Sequence, residues 1–462
     1  MGDPRRGARV RHRAARDGAA DRELGGLSLR APTGLVVAAL ALAAVSLLAP
    51  WALAFDPQAW VVWGRDAGRL SLDTSGGPSW KPLPVVVTTP LALTGDPAPA
   101  LWLVVARAGG LLALAGAWAL AARLGGTVAG VAAAAVMALS PWWLFNTALG
   151  NSEGLLAATA LWAVLAHLDG RPRAALALGT AAALLRPEVW PFLGLYGLWL
   201  WRRDRGARPV VAVAGVLVPL LWIGPDVLGI GGALSASRAA RGEPSLGSAA
   251  LEDVPGLAVL ADAVSLLTVP AALAAVAGIV AGPGLARVLG AAAGAWIAIV
   301  AVMAQAGYAG NPRYLVAAMA FGCVLAGHGA AVVLRRAPAV AAAVLVAAVG
   351  AVTLGDLREQ VSDVGARADR REALPAVVEA AGGRDALVDC ARIRTAPDVR
   401  PLVAWELDVS MLGIDRPPEP PAAVLRWSPH GGGPSEPELP GGFELLGRAP
   451  FWEAWASCTV RR

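Results

Sequence analysis

Recurrent long apolar runs constrain this chain more than any other feature, because roughly 18 or more apolar residues suffice to cross a hydrocarbon core of about 30 Å. The first run covers residues 33–54. Further apolar segments follow at 98–122, 127–145, 152–167, 209–228, 257–281, 285–306, 314–334 and 338–354. Charged residues make up only 16% of the chain and hydrophobic residues 56%, whereas a soluble chain carries about 25% charge. The fold class is therefore an α-helical, polytopic, multi-pass protein of the cell membrane. The formal charge of +5 is almost entirely arginine, with Lys81 the sole lysine. Arginine and alanine bias of this kind follows from a G+C-rich genome, so no nucleic-acid partner is inferred. Three cysteines without C-x-x-C spacing exclude a thiolate zinc site.

Residues 1–32 hold eight arginines and no apolar run, and read as a disordered cytoplasmic tail against anionic membrane lipids. Residues 33–355 form the multi-span domain. Within it, residues 174–201 contain Arg186-Pro187-Glu188 at mid-length. Proline and two charges are costly in lipid, which predicts two short legs of a broken hairpin rather than one span. Breaking the helix there also puts most of the arginine on one side of the membrane. The positive-inside rule then gives about eleven helices, the N-terminus cytoplasmic and the C-terminus extracytoplasmic.

In that topology the ionisable residues gather on the outer side. A long outer loop, 55–97, opens with Asp56, carries Asp66 and contains Lys81. Loops this long between spans are uncommon without a function. Glu153 starts the fourth span, Arg186 and Glu188 form the hairpin tip, and Asn311-Pro312-Arg313-Tyr314 enters a late span. Trp60, Trp63, Trp80, Trp142, Trp143 and Trp190 fall near the same side, most as interfacial belt residues, with one or two available to stack on a ligand. Residues 356–462 are richer in charge and read as a small extracytoplasmic α/β domain. Its strands are expected at 386–388, 422–427, 443–446 and 451–455, and its helices at 374–381 and 402–407. Cys390 and Cys458 both lie in it, and an oxidising compartment favours their pairing.

These residues together resemble the GT-C class of integral-membrane glycosyltransferases, relatives of protein O-mannosyltransferases and of bacterial enzymes that use polyprenyl-phosphate sugars. The resemblance rests on Asp56 just after the first span, the long first outer loop, Leu185-Arg186-Pro187-Glu188, Asn311-Pro312-Arg313-Tyr314 and the trailing domain. It covers roughly residues 33–355. It implies transfer of a sugar from a polyprenyl-phosphate donor to a cell-envelope glycan, lipid or protein acceptor. Asp56 would then be the general base, with Lys81, Glu153, Arg186, Glu188, Arg313 and Tyr314 binding the donor phosphate or sugar. No cofactor is implied, because the lipid-linked sugar is a substrate, and the lack of Asp-x-Asp in the outer loops argues against an obligate metal. Family members often carry a second carboxylate beside the first. Here Pro57-Gln58 follows Asp56, which leaves Asp66 or Glu153 as the substitute.

Each residue also has a structural reading. Asp56 can end a helix at the interface, Arg186 and Glu188 can pair with each other, and Arg313 with Tyr314 can anchor at the interface. Glu153 can complement a helix dipole, and Lys81 can be a chance survivor of compositional drift. Arg107, in mid-span, can bond neighbouring carbonyls. Two other functions stay open beside the transferase: a transporter or flippase of lipid-linked material, and a non-catalytic scaffold of the same fold.

Overall fold

The computed structural model describes residues 32–229 except 75, then 241, 247–336, 356–390, 392–415, 420–428, 439 and 441–458. The expected tail and the segment 338–354 lie outside the described residues. The helices run α1 (Pro32–Val45), α2 (Phe55–Gly68), α3 (Pro82–Ala92), α4 (Ala98–Gly125), α5 (Thr127–Ala138), α6 (Pro141–Ala148) and α7 (Glu153–Leu168). They continue as α8 (Pro172–Ala183), α9 (Trp190–Arg203), α10 (Arg208–Gly229), α11 (Pro255–Leu267), α12 (Val269–Ala281), α13 (Gly284–Gln305) and α14 (Val316–Arg336). Among the described residues, four helices are long and apolar enough to cross a membrane, or up to six if each bent pair is one span. The expected count of about eleven is therefore not reproduced by length and composition alone.

Two segments that read as straight spans are bent. Residues 127–145 divide into α5 and α6. Residues 257–281 divide into α11 and α12, which turn by 92°. Thr268 at the second break has φ +67°, and Pro270 in the first turn of α12 cannot supply the N–H that would continue α11. The segment around 186 is also broken: α8 ends at Ala183, and a short 3-10 turn at Pro187–Val189 leads into α9.

The bundle is held by close helix contacts at small residues, as expected where lipid removes the hydrophobic drive for association. Gly154 of α7 lies against Gly110 of α4, where an added Cβ would come within 2.8 Å of the Gly110 nitrogen. Arg107 in α4 donates to the Ala148 carbonyl at 2.8 Å and to Ser46 Oγ at 2.7 Å, tying α6 and the end of α1 to α4.

The C-terminal domain contains α15 (Asp356–Ala380), α16 (Arg384–Val388) and α17 (Arg400–Glu406) against a five-stranded sheet. Its strands are β1 (Ile393–Thr395), β2 (Ile414–Asp415), β3 (Ala423–Trp427), β4 (Glu444–Ala449) and β5 (Trp452–Ala456), in the order β2-β1-β3-β5-β4. β1 is parallel to β2 and β3, while β5 runs antiparallel to β3 and β4. One strand expectation fails. Residues 386–388 are helical, because three apolar residues carry no periodicity of their own and Gly383, at φ +91°, starts a helix with Asp385 in its first turn. Cys390 and Cys458 are disulfide-bonded, with Cα atoms 5.9 Å apart.

α2 joins the two parts. Every residue from Asp56 to Asp66 is buried, between α3, α4 and α17. Trp60, Trp63 and Trp80 share one core with Val403, Ile393 and Leu374 of the C-terminal domain. They are core residues rather than belt residues: the loop 55–97 folds inward as two helices and carries its tryptophans under the C-terminal domain.

Candidate active site

Between α1 and α2 lie a 3-10 turn (Ser46–Leu48) and a short connection, at whose end the Ala54 N–H donates to the Leu149 carbonyl at 3.0 Å. This fixes the first turn of α2, and with it Asp56, against the α6–α7 connection. That connection turns at Gly150, whose φ of +76° lies in the region that glycine adopts without strain. Its carbonyl accepts from Trp102 Nε1 at 3.0 Å. The turn delivers Asn151, Ser152 and Glu153 to the start of α7.

Six of the expected charged side chains meet there. Arg186 donates to Glu153 at 2.9 Å and approaches Glu188 at 3.5 Å. Lys81 Nζ lies 3.6 Å from the same Glu153 oxygen and donates to Ser152 Oγ at 3.0 Å. Arg313 pairs with Asp56 at 2.7 Å. Tyr314 ties the pairs together, with its ring 4.1 Å from the Arg186 guanidinium carbon and 6.0 Å from that of Arg313. Trp60, one turn beyond Asp56 on α2, lies 4.9 Å from Lys81 Nζ in a cation–π contact.

The cluster is self-compensating, with three cations (Lys81, Arg186, Arg313) against three carboxylates (Asp56, Glu153, Glu188). Glu153 is 1% exposed and Arg186 5%, so the cluster is desolvated and each charge depends on its partners. Several polar atoms still lack a partner among the described residues: Glu153 Oε2, Glu188 Oε2 and Arg186 Nε are buried without a hydrogen bond. Burial pushes the Lys81 ammonium down to about 8, against the opposing pull of Glu153. Lys81 therefore holds its proton at neutral pH but gives it up far more readily than an exposed lysine.

Asp66 is not part of this group. It lies about ten residues further along α2, roughly 15 Å at 1.5 Å per residue. There it pairs with Arg65 at 3.2 Å, and Arg65 in turn reaches Asp408 at 2.9 Å and the Val409 carbonyl at 2.7 Å. Burial pushes the Asp66 carboxyl up, with Arg65 opposing. Its role is in the junction with the C-terminal domain. Of the two carboxylates expected to accompany Asp56, Glu153 of α7 lies in its cluster and Asp66 does not. The sequence placed Trp60 on this side of the chain but not its contact with Lys81, and it missed Ser152, for which adjacency to Glu153 was the only signal.

The arrangement can bind an anion through three fixed cations and offers a carboxylate to take a proton beside them. No protein-family model matches the chain, and no curated protein matches it in sequence. Its backbone, however, superposes on a solved structure, ArnT from Cupriavidus metallidurans bound to undecaprenyl phosphate. The TM-score is 0.58 at 13% identity, covering 94% of this chain and 99% of that one. The chain has the ArnT fold. The apo structure of the same ArnT agrees, with a TM-score of 0.58 at 14% identity over 93% and 98% of the two chains.

Proposed function

We propose that this protein is an integral-membrane glycosyltransferase that moves a sugar from a polyprenyl-phosphate donor to an extracytoplasmic glycan, lipid or protein acceptor. The observation that carries the reading is the meeting of Asp56, Lys81, Glu153, Arg186, Glu188 and Arg313, from five separate chain segments, in one cluster whose first five members are buried and whose Arg313 is part-buried. A scaffold has no need to gather and desolvate such charges, and a transporter would spread them along a path through the spans. The ArnT fold, seen with undecaprenyl phosphate in that protein, supports a lipid phosphate as the anion. The acceptor side, the N-terminus inside and the C-terminal domain outside follow from the arginine distribution.

In this mechanism the donor phosphate engages Arg313, Arg186 and Lys81. Arg313 pairs with Asp56 at 2.7 Å, so an arriving phosphate competes for that guanidinium and frees the carboxylate to act as base. The acceptor hydroxyl oxygen attacks the anomeric carbon, and its proton passes to Asp56. The bond between that carbon and the phosphate oxygen breaks, and polyprenyl phosphate leaves with its new charge stabilised by the same cations. Glu153 and Glu188 orient Lys81 and Arg186 and keep them charged. The test is turnover of a panel of radiolabelled polyprenyl-phosphate sugars by membranes containing wild type or Asp56→Asn. Loss of about 10²–10⁴-fold in turnover at unchanged donor affinity is expected for removal of a general base. Full turnover by Asp56→Asn would move the base to Glu153.

A further inference from the structure

A second cationic cleft lies where the chain passes from α1 into α2. Leu53, Phe55 and Gln58 form one wall, and Arg367, Arg370 and Arg371 of α15 face them. Asp398 is the one carboxylate that lines it. It approaches Arg370 only at 3.5 Å and also accepts from Trp427 Nε1. Arg367 and Arg371 pair with Asp363 at 2.9 Å and Glu372 at 2.8 Å, and neither of those carboxylates lines the cleft. Three cations therefore meet one carboxylate.

The unsatisfied atoms point the same way. Gln58 Nε2, Arg370 Nε and Arg371 Nε are buried and have no hydrogen-bond partner among the described residues. All three are donors, so the missing partner is an acceptor. Gln58 is 6% exposed and Arg370 9%, so an acceptor entering the cleft meets donors largely shielded from bulk solvent. The guanidinium groups are also held in place: Arg371 lies 3.6 Å over the Trp51 ring and Arg370 3.9 Å over Trp427. Burial pushes both arginines down, a cost that a bound anion would offset. The enclosed volume of about 30 Å³ admits one or two oxygen atoms, with the rest of the ligand at the mouth. From the wall of the cleft at residues 52–55 the chain runs back to α1, where Val37, Leu42 and Val45, with Leu48 just beyond its end, are exposed apolar side chains.

We propose that this cleft binds the phosphate oxyanion of an amphiphile, the oxygens on Gln58, Arg370 and Arg371 and the apolar part along α1. It is separate from the Asp56 cluster, since residues 56 and 58 point about 160° apart around α2. It does not depend on the transferase reading.

The test uses the purified full-length chain in detergent, with dioleoylphosphatidylglycerol, dioleoylglycerol and inorganic phosphate as probes. Native mass spectrometry reads retained lipid, and thermal unfolding reads stabilisation. Wild type should retain phosphatidylglycerol and melt higher with it, while dioleoylglycerol does neither. Gln58→Leu and Arg371→Gln should each weaken retention about tenfold, the loss expected for one charge-assisted or buried hydrogen bond. Arg186→Ala, which strips the other cluster, should leave retention unchanged. Competition by inorganic phosphate would assign the site to free phosphate as well as lipid and support the oxyanion; no competition would assign it to the amphiphile. Equal retention of the two lipids by wild type, unchanged affinity in both cleft variants, or loss in Arg186→Ala would each overturn the proposal. The two cleft variants are read separately against Arg186→Ala, so if one fails to fold the other still decides which cluster holds the lipid.

Discussion

Lys81→Arg should change the pH dependence of donor use in a calculable way. Lys81 titrates at about 8 because burial disfavours its charge more than Glu153 restores it. A lysine shifted downward carries its charge below its folded pKa and loses it as pH rises through that value. The protonated fraction is then about 0.9 at pH 7 and about 0.1 at pH 9, so a step that needs this cation falls roughly tenfold across the interval. A sugar-phosphate donor joined at both ends is a diester, which does not titrate in this range, so the limb belongs to the protein. It should be seen in kcat/KM, which reports the free enzyme. It should fade in kcat, because the bound phosphate restores the proton to Lys81. Arginine stays charged throughout, so the Lys81→Arg profile should be flat from about pH 7 to about pH 9, with a lower plateau because the guanidinium does not match the Ser152 and Trp60 contacts. The assay is initial-rate transfer at sub-saturating donor in buffers of constant ionic strength. A wild-type profile that is flat over this range, or a limb near pH 8 that persists in Lys81→Arg, would refute the assignment of Lys81 to the phosphate.

Arg186→Ala and Arg313→Ala should each weaken donor binding and turnover together, because phosphate contacts exist before the transition state and strengthen within it. Lysine at 186 should rescue only in part, since it loses both the planar fork and the stacking on Tyr314; donor titrations of both sets of variants check this. Gly154→Val should cost about 1–3 kcal/mol of stability, because its Cβ has no room beside Gly110, and thermal unfolding in detergent reads the loss. Cys390→Ser should cost about 2–5 kcal/mol in the C-terminal domain, visible as earlier proteolysis of residues 356–462.

Much of this arrangement was legible because lipid imposes simple rules. The runs 98–122, 285–306 and 314–334 show themselves by length. The break near residue 186 shows itself because proline and two charges have no place in a span. Thr268 does not: the run from 257 to 281 stays apolar throughout, and the bend comes from a positive φ that threonine does not announce. The likelihood of a shared site could be read from the polar residues at one end of the spans, but not their pairing. Glu153 meets Arg186 across 33 positions and Lys81 across about 70, and only tertiary structure decides that Glu153, not Asp66, accompanies Asp56. The tryptophans misled because an amphipathic aromatic at a membrane edge and one beneath a covering domain have the same local sequence.

The bridging position of α2 has a temporal consequence. Arg65 bonds to carbonyls at 404 and 409, separated from it by 339 and 344 residues. α2 emerges well before the residues that enclose it. Contacts of such sequence separation form late, and domains made during synthesis settle from the N-terminal side first. The helix carrying Asp56 must therefore wait, half-covered, until the chain past residue 409 has been made. A chain cut short before residue 400 would insert all its described spans and still lack a finished site, so incomplete products would be inert rather than partly active.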